Sequence, residues 1–164
     1  MRSSGMKTYI GIDNGTTGTM AILCPDGTKI FLKVPVRKEQ DYTKAKKNVT
    51  RVDVRLFYEL LKDFKDKDVF ALIERPMVNP TRFQSSASAL RCMEAELTVI
   101  EALDIPYQFC DSKEWQKELL PKGCDDTKKA SLDIGNRLFP MFREVKHPDR
   151  DGLLIAEYAR RKQL

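Results

Sequence analysis

The sequence predicts an α/β protein built on a mixed five-stranded sheet flanked by helices, and three observations predict it. Segments of strand and helix character follow the order β-β-β-α-β-α-β-α-α-α without an internal repeat. The run Val69-Phe70-Ala71-Leu72-Ile73 is apolar at every position, as suits a strand buried on both faces. At 164 residues, 41% of them hydrophobic, the chain is long enough for one sizeable core and too short for two ordinary domains.

Taken in order, Lys7 to Ile12 is a β-rich run ending at the carboxylate of Asp13, and Asn14-Gly15-Thr16-Thr17-Gly18 has the glycines of a tight reversal. A second strand runs from Thr19 to Leu23. It breaks at Pro25-Asp26-Gly27, and a third returns through Lys29 to Val34, giving an antiparallel meander. The stretch from Arg37 to Arg51, with six bases against two acids, reads as an exposed loop. Asp53 offers an N-cap to a helix through about Lys65, with Val54, Phe57, Leu61 and Phe64 on one face.

The fourth strand ends at a second carboxylate, Glu74, before Arg75-Pro76. Leu90, Met93, Leu97, Ile100 and Leu103 mark a long helix from about Ser85, and Ile105 to Cys110 supplies a fifth strand. Ser112 is placed to cap a helix carrying Trp115 and Leu119. Asp125 or Asp126 caps another with Ala130, Ile134 and Leu138 inward, and a last helix runs from Asp151 to about Lys162. Three strands are then antiparallel and two are added in parallel.

Several function classes are disfavoured. No stretch approaches the ~20 apolar residues of a membrane span, and no secretory pattern opens the chain, so a cytoplasmic protein without membrane contact is expected. Met1 to Gly5 reads as a vector-derived leader, leaving residues 6–164 as a single domain. Four cysteines without a C-x-x-C pair, and a lone His147, argue against zinc. The net charge of +5 suits a polyanionic partner.

The acids carry the chemistry. If the strand ending at Glu74 lies parallel beside the strand ending at Asp13, both carboxylates share the sheet edge where open α/β proteins place their sites. A final helix packed on the sheet presents Asp151, with Asp149 just before it, to the same place. Clustered carboxylates repel unless divalent cations neutralise them, and all-oxygen donors select hard ions such as Mg²⁺ or Mn²⁺. Two such ions suit hydrolysis of a phosphodiester. Taken singly, each acid also reads as a turn former, a strand-end charge or a helix-dipole partner. Glu74 fits that reading least, since an acid closing so apolar a strand needs a buried partner.

Ile-Gly-Ile-Asp13 with its glycine turn, Ala-Leu-Ile-Glu74, the helix with Ser86-Ala87-Ser88-Ala89-Leu90, and the terminal Asp151-Gly-Leu-Leu-Ile-Ala-Glu-Tyr-Ala together resemble the RuvC-like Holliday-junction resolvases. These belong to the ribonuclease H and retroviral-integrase superfamily, and the likeness is strongest to phage-type and organellar members. The resemblance implies a ribonuclease H-like fold and a homodimer that resolves four-way DNA junctions by paired nicks, using Mg²⁺ held by four acidic positions. Asp13, Glu74 and Asp151 match three of them. The place three residues before the last is Pro148, so Asp149 is the substitute, with His147 the other choice.

The resemblance also implies lysines near the scissile phosphate, for which Lys117 and Lys128 stand in the corresponding region, Lys117 with a one-residue shift. It implies an aromatic wedge in the loop after Glu74, here Phe83 beside Arg82; Phe83 also suits a staple for the following helix. The long helix matches the family's dimer element, and its apolar face equally suits packing on its own sheet. Lys44, Lys46 and Lys47 in the basic stretch are further candidates for phosphate contact. Two rival readings are a sugar-kinase or actin-like phosphate turn at Asp13-Asn-Gly-Thr-Thr-Gly-Thr, and a ribonuclease H-like nuclease acting on RNA or RNA–DNA hybrid. A third is a nucleic-acid-binding relative without activity.

Overall fold

A computed structural model describes residues 7–164. The leader assigned to residues 1–5 lies outside the described residues. Among the described residues seven strands and five α-helices follow one another: β1 (Thr8–Ile12), β2 (Thr19–Leu23), β3 (Lys29–Lys33), β4 (Val36–Gln40), β5 (Asn48–Val52), α1 (Val54–Leu61), β6 (Val69–Glu74), α2 (Phe83–Ala102), β7 (Tyr107–Cys110), α3 (Ser112–Leu119), α4 (Thr127–Leu138) and α5 (Asp151–Lys162). The main sheet has five strands in the order β3-β2-β1-β6-β7. β1, β2 and β3 are antiparallel, and β6 and β7 add in parallel.

Alternation along β6 explains its unbroken apolar run. Val69, Ala71 and Ile73 enter a core shared with Phe57, Leu61, Leu97 and Ile100 of α1 and α2, whereas Phe70 and Leu72 enter one shared with Trp115, Ile134, Leu154 and Ile155 of α3, α4 and α5. Both faces are covered, so neither set can be polar. The same alternation puts Glu74 on the α3–α5 side.

Helix α5 lies directly on β1 and β2, because glycines let the backbones meet. A Cβ on Gly11 would stand 2.3 Å from the Gly152 carbonyl oxygen, and one on Gly152 would stand 2.5 Å from that of Thr19. The Gly152 N–H donates to Thr19 Oγ1 at 2.9 Å, tying the start of α5 to the first residue of β2.

Several expectations need correction. The stretch from Arg37 to Arg51 is not a loop but a second, two-stranded sheet, β4 paired with β5; its strands lack the apolar alternation that marks a half-buried strand, since most of the ribbon faces solvent. Ser112 does not cap α3: it is the first helical residue, and Asp111 stands at the N-cap position. Helix α2 starts at Phe83 rather than Ser85, and the last strand begins at Tyr107. Asp53 and Asp126 do cap α1 and α4, accepting from the N–H groups of Leu56 and Lys129. Among the described residues no helix is long and apolar enough to cross a membrane.

Candidate active site

Asp13 follows the last residue of β1, Glu74 ends β6, and the two strands pair in parallel through Ile12 and Ile73. Their carboxylates therefore leave the sheet at one edge. Asp151 opens α5, which the Gly11–Gly152 approach presses onto the same edge, and carboxylate oxygens of Asp13, Asp149 and Asp151 lie within 4.8 Å of one another. Burial, a carboxyl–carboxyl hydrogen bond with Glu74, and the charges of Glu74, Asp151 and Asp149 hold the Asp13 carboxyl well above the ordinary aspartate value. Asp151 is pushed up to about 6: burial raises it, the Ser131 hydrogen bond opposes that, and Asp149 and Glu74 raise it further.

Glu74, Asp149 and Asp151 are each held by a named partner. Trp115 is buried on α3, and its Nε1–H donates to Glu74 Oε1 at 3.0 Å. Ser131 of α4 donates its hydroxyl to Asp151 Oδ1 at 2.6 Å, and the Asp151 N–H donates to Asp149 Oδ1 at 3.0 Å. Lys128 Nζ stands 3.4 Å from Asp149 Oδ2 with most of its side chain in solvent. Burial works against the lysine charge, but Asp149, Asp151 and Asp13 outweigh it and raise its pKa.

The segment presenting Asp149 is braced from below by Arg150, which is 1% exposed. Its guanidinium donates to the carbonyls of Phe142, Val145, His147 and Asp149 and to Asn136 Oδ1, and it lies 5.3 Å from the Phe31 ring centroid. His147 is a second brace: Nε2 bonds the Thr17 carbonyl at 2.9 Å and Nδ1 accepts from the Asp149 N–H at 3.3 Å. With both ring nitrogens engaged, His147 stays outside the acid group and Asp149 enters it.

The other anticipated residues lie apart from the acids. Lys117 is exposed on α3 and lines a groove with Lys113, Gln116 and Lys122; no bond to the acids occurs among the described residues. Phe83 is 73% exposed, so it does not staple α2. The helix start is held instead by Ser86, whose Oγ accepts from the Asn79 N–H at 2.8 Å and donates to its carbonyl. Arg82 precedes Phe83 on the same exposed surface, and Lys44, Lys46 and Lys47 stand at the turn between β4 and β5.

Sequence reasoning demanded a buried partner for Glu74 but placed Trp115 only on a helix and did not single it out as that partner. Ser131 and Arg150 carried no signal, because a serine inside a helix and an arginine beside acids read as surface residues.

A sheet of order β3-β2-β1-β6-β7, with carboxylates at the ends of two adjacent parallel strands and in the first turn of a helix laid across them, defines a ribonuclease H-like fold carrying an acidic cluster. Within that class the chain has the RuvC fold. It is similar to Thermus thermophilus RuvC in complex with a Holliday junction substrate, with a TM-score of 0.60 and 14% identity over 95% of this chain and 96% of that one. A second Thermus thermophilus RuvC structure gives a TM-score of 0.54 and 14% identity over 94% and 96%. No family model matches the chain, and no curated protein matches it.

Proposed function

We propose that this protein is a Mg²⁺-dependent endonuclease that resolves four-way DNA junctions by paired, symmetric nicks, acting as a homodimer and leaving 5′-phosphate and 3′-hydroxyl ends. The observation that carries the reading is the meeting of Asp13, Asp149 and Asp151 within 4.8 Å at the catalytic edge of a RuvC fold.

The donor set fits a hard divalent cation. All its atoms are carboxylate oxygens, and their spread is close to the ~4 Å separating opposite ligands at Mg²⁺–O distances of about 2.0–2.1 Å. The raised Asp13 and Asp151 values reflect negative charge crowded in a buried place, which a cation compensates. Asp13, Asp149 and Asp151 would hold it, with Glu74 beside Asp13. Bound divalent ions supply activation of the attacking water and stabilisation of the leaving oxygen, two of them in the reading favoured here.

The chain's own residues do the positioning. Ser131 and Trp115 hold Asp151 and Glu74 in single orientations, so little reorganisation accompanies reaction. Lys128, anchored by Asp149 yet open to solvent, is placed to steady a phosphate oxygen, and Lys117 is a second, more remote cation for the same strand. Phe83 and Arg82 suit entry into the junction centre. A two-fold dimer matches the two symmetry-related phosphates of the substrate.

Labelled four-way junction, linear duplex and RNA–DNA hybrid, incubated in Mg²⁺ or EDTA, test the reading. Paired nicks in the junction, dependent on Mg²⁺, are expected, and Asp13→Asn should abolish them while junction binding persists. Cleavage of the hybrid alone would replace the junction substrate with an RNA-containing one, and cleavage by Asp13→Asn would remove Asp13 from the chemistry.

A further inference from the structure

The ribbon between β3 and α1 carries six bases and two acids between Val36 and Val52, a net +4 in a chain whose total is +5. Its charge sits on an ordered scaffold. β4 and β5 pair from Val36↔Val52 to Gln40↔Asn48. Asp41 closes the turn: its N–H donates to the Lys47 carbonyl at 2.8 Å, and its carboxylate accepts from the Thr43 N–H at 3.0 Å and hydroxyl at 2.6 Å.

The root of this ribbon is at the catalytic edge. Lys33, the last residue of β3, pairs with Thr19, and the Thr19 carbonyl accepts the Asp13 N–H at 2.9 Å. Val34 and Val52 are buried at the root, and the Asp53 N–H donates to the Pro35 carbonyl. Strands of five residues then carry the turn roughly 17 Å away.

At the turn stands Tyr42, 99% exposed. Three of the other four tyrosines use their rings or hydroxyls within the protein: Tyr9 is in the core, Tyr107 bonds Glu101, and Tyr158 lies under Lys162, while Tyr58 lies on α1 and is 42% exposed, less than half as much as Tyr42. Tyr42 has no hydrogen bond or ring contact among the described residues. Lys44, Lys46 and Lys47 beside it are exposed and form no salt bridge among the described residues, while Arg37 and Arg51 share Glu39 lower on the ribbon.

We propose that the β4–β5 ribbon is a DNA-gripping arm whose Tyr42 stacks on a base laid open at the branch point, while Lys44, Lys46 and Lys47 hold the flanking phosphates. An ordered, solvated aromatic among unpaired cations matches the two chemistries of a nucleic-acid strand, π-faces and phosphates. A base inside continuous duplex is covered on both sides, so only a branch or an unpaired position offers Tyr42 a free face. The inference rests on the nuclease reading above and names a substrate contact made by residues outside the acid centre.

The test compares wild type, Tyr42→Ala and Tyr42→Phe in EDTA, using a four-way junction with 2-aminopurine next to the branch point and a linear duplex of equal length. The Tyr42 side chain supports nothing in the fold, so all three should melt alike. Wild type and Tyr42→Phe should quench the branch-point fluorescence; Tyr42→Ala should lose the quenching and bind the junction about 10-fold or more weakly, with duplex affinity nearly unchanged. In Mg²⁺ the alanine variant should raise the apparent KM without lowering kcat. Equal junction affinity in wild type and Tyr42→Ala, an equal loss on junction and duplex, or a loss in Tyr42→Phe as large as in Tyr42→Ala would each overturn stacking. Failure of the wild type to bind or cut any DNA would instead overturn the nuclease reading, and this inference with it.

Discussion

Replacing Trp115 with Phe separates a residue that only fills the core from one that also aims a carboxylate. The indole is 1% exposed and its Nε1–H reaches Glu74 Oε1 at 3.0 Å, so the substitution removes a hydrogen bond to a charged acceptor and shrinks a ring packed in the α3–α5 core. The bond contributes about 1.5–3 kcal/mol and the void costs about 1 kcal/mol more, so a loss of about 2.5–4 kcal/mol is expected in urea unfolding. Freed of its donor, Glu74 no longer faces Asp13 in one orientation. Loss of such an outer partner typically weakens a metal site 10–100-fold. The Mg²⁺ concentration for half-maximal nicking should rise by that factor, with the rate at saturating Mg²⁺ much less affected. Because the chain has one tryptophan, its emission offers a readout without turnover: Mn²⁺ should perturb it in the wild type and much less in Glu74→Gln. A Trp115→Phe protein that is destabilised yet keeps the wild-type Mg²⁺ midpoint would refute the positioning role and leave Trp115 a core residue.

Two other substitutions probe how the site is held. Gly152→Ala places a Cβ 2.5 Å from the Thr19 carbonyl oxygen and 2.8 Å from Met20 Cα, backbone atoms that cannot turn aside, so α5 must back away and carry Asp151 with it. A misplacement near 1 Å costs roughly 100-fold in rate; nicking at the wild-type rate would show that the close approach does not set the geometry. Glu96 of α2 is 0% exposed, and neither of its carboxylate oxygens has a hydrogen-bond partner among the described residues. Burial raises its pKa well above the ordinary 4.5. The folded state therefore keeps a proton that the unfolded state releases, and the associated stability is complete below about pH 4.5 and is lost as pH rises toward the folded value. Glu96→Leu should accordingly stabilise by about 1–3 kcal/mol at neutral pH and by less at pH 4, measured by urea unfolding; a gain independent of pH would show that ionisation at Glu96 plays no part.

The order of elements, the doubly buried strand β6 and the placement of acids at strand and helix ends were legible in the sequence. Each follows from local rules: alternation, helical periodicity, and the turn and cap chemistry of glycine and aspartate. The β4–β5 ribbon was not legible, because strands such as Val36-Arg-Lys-Glu-Gln40 are carried by pairing with each other and bury too little to show a pattern.

Sequence alone determined which acids could meet and the sheet edge at which they would do so. The tertiary structure brought Asp149 within 4.8 Å of Asp13 and Asp151, and paired Trp115 with Glu74, Ser131 with Asp151 and Arg150 with the backbone beneath Asp149. The physical reason is that a hydrogen bond needs its partners within about 3 Å and correctly aimed. That is set by how α3, α4 and α5 dock on the sheet, through the glycine-to-backbone approach of Gly11 and Gly152, and no local pattern in the chain encodes the distance between residues 74 and 115 or 131 and 151.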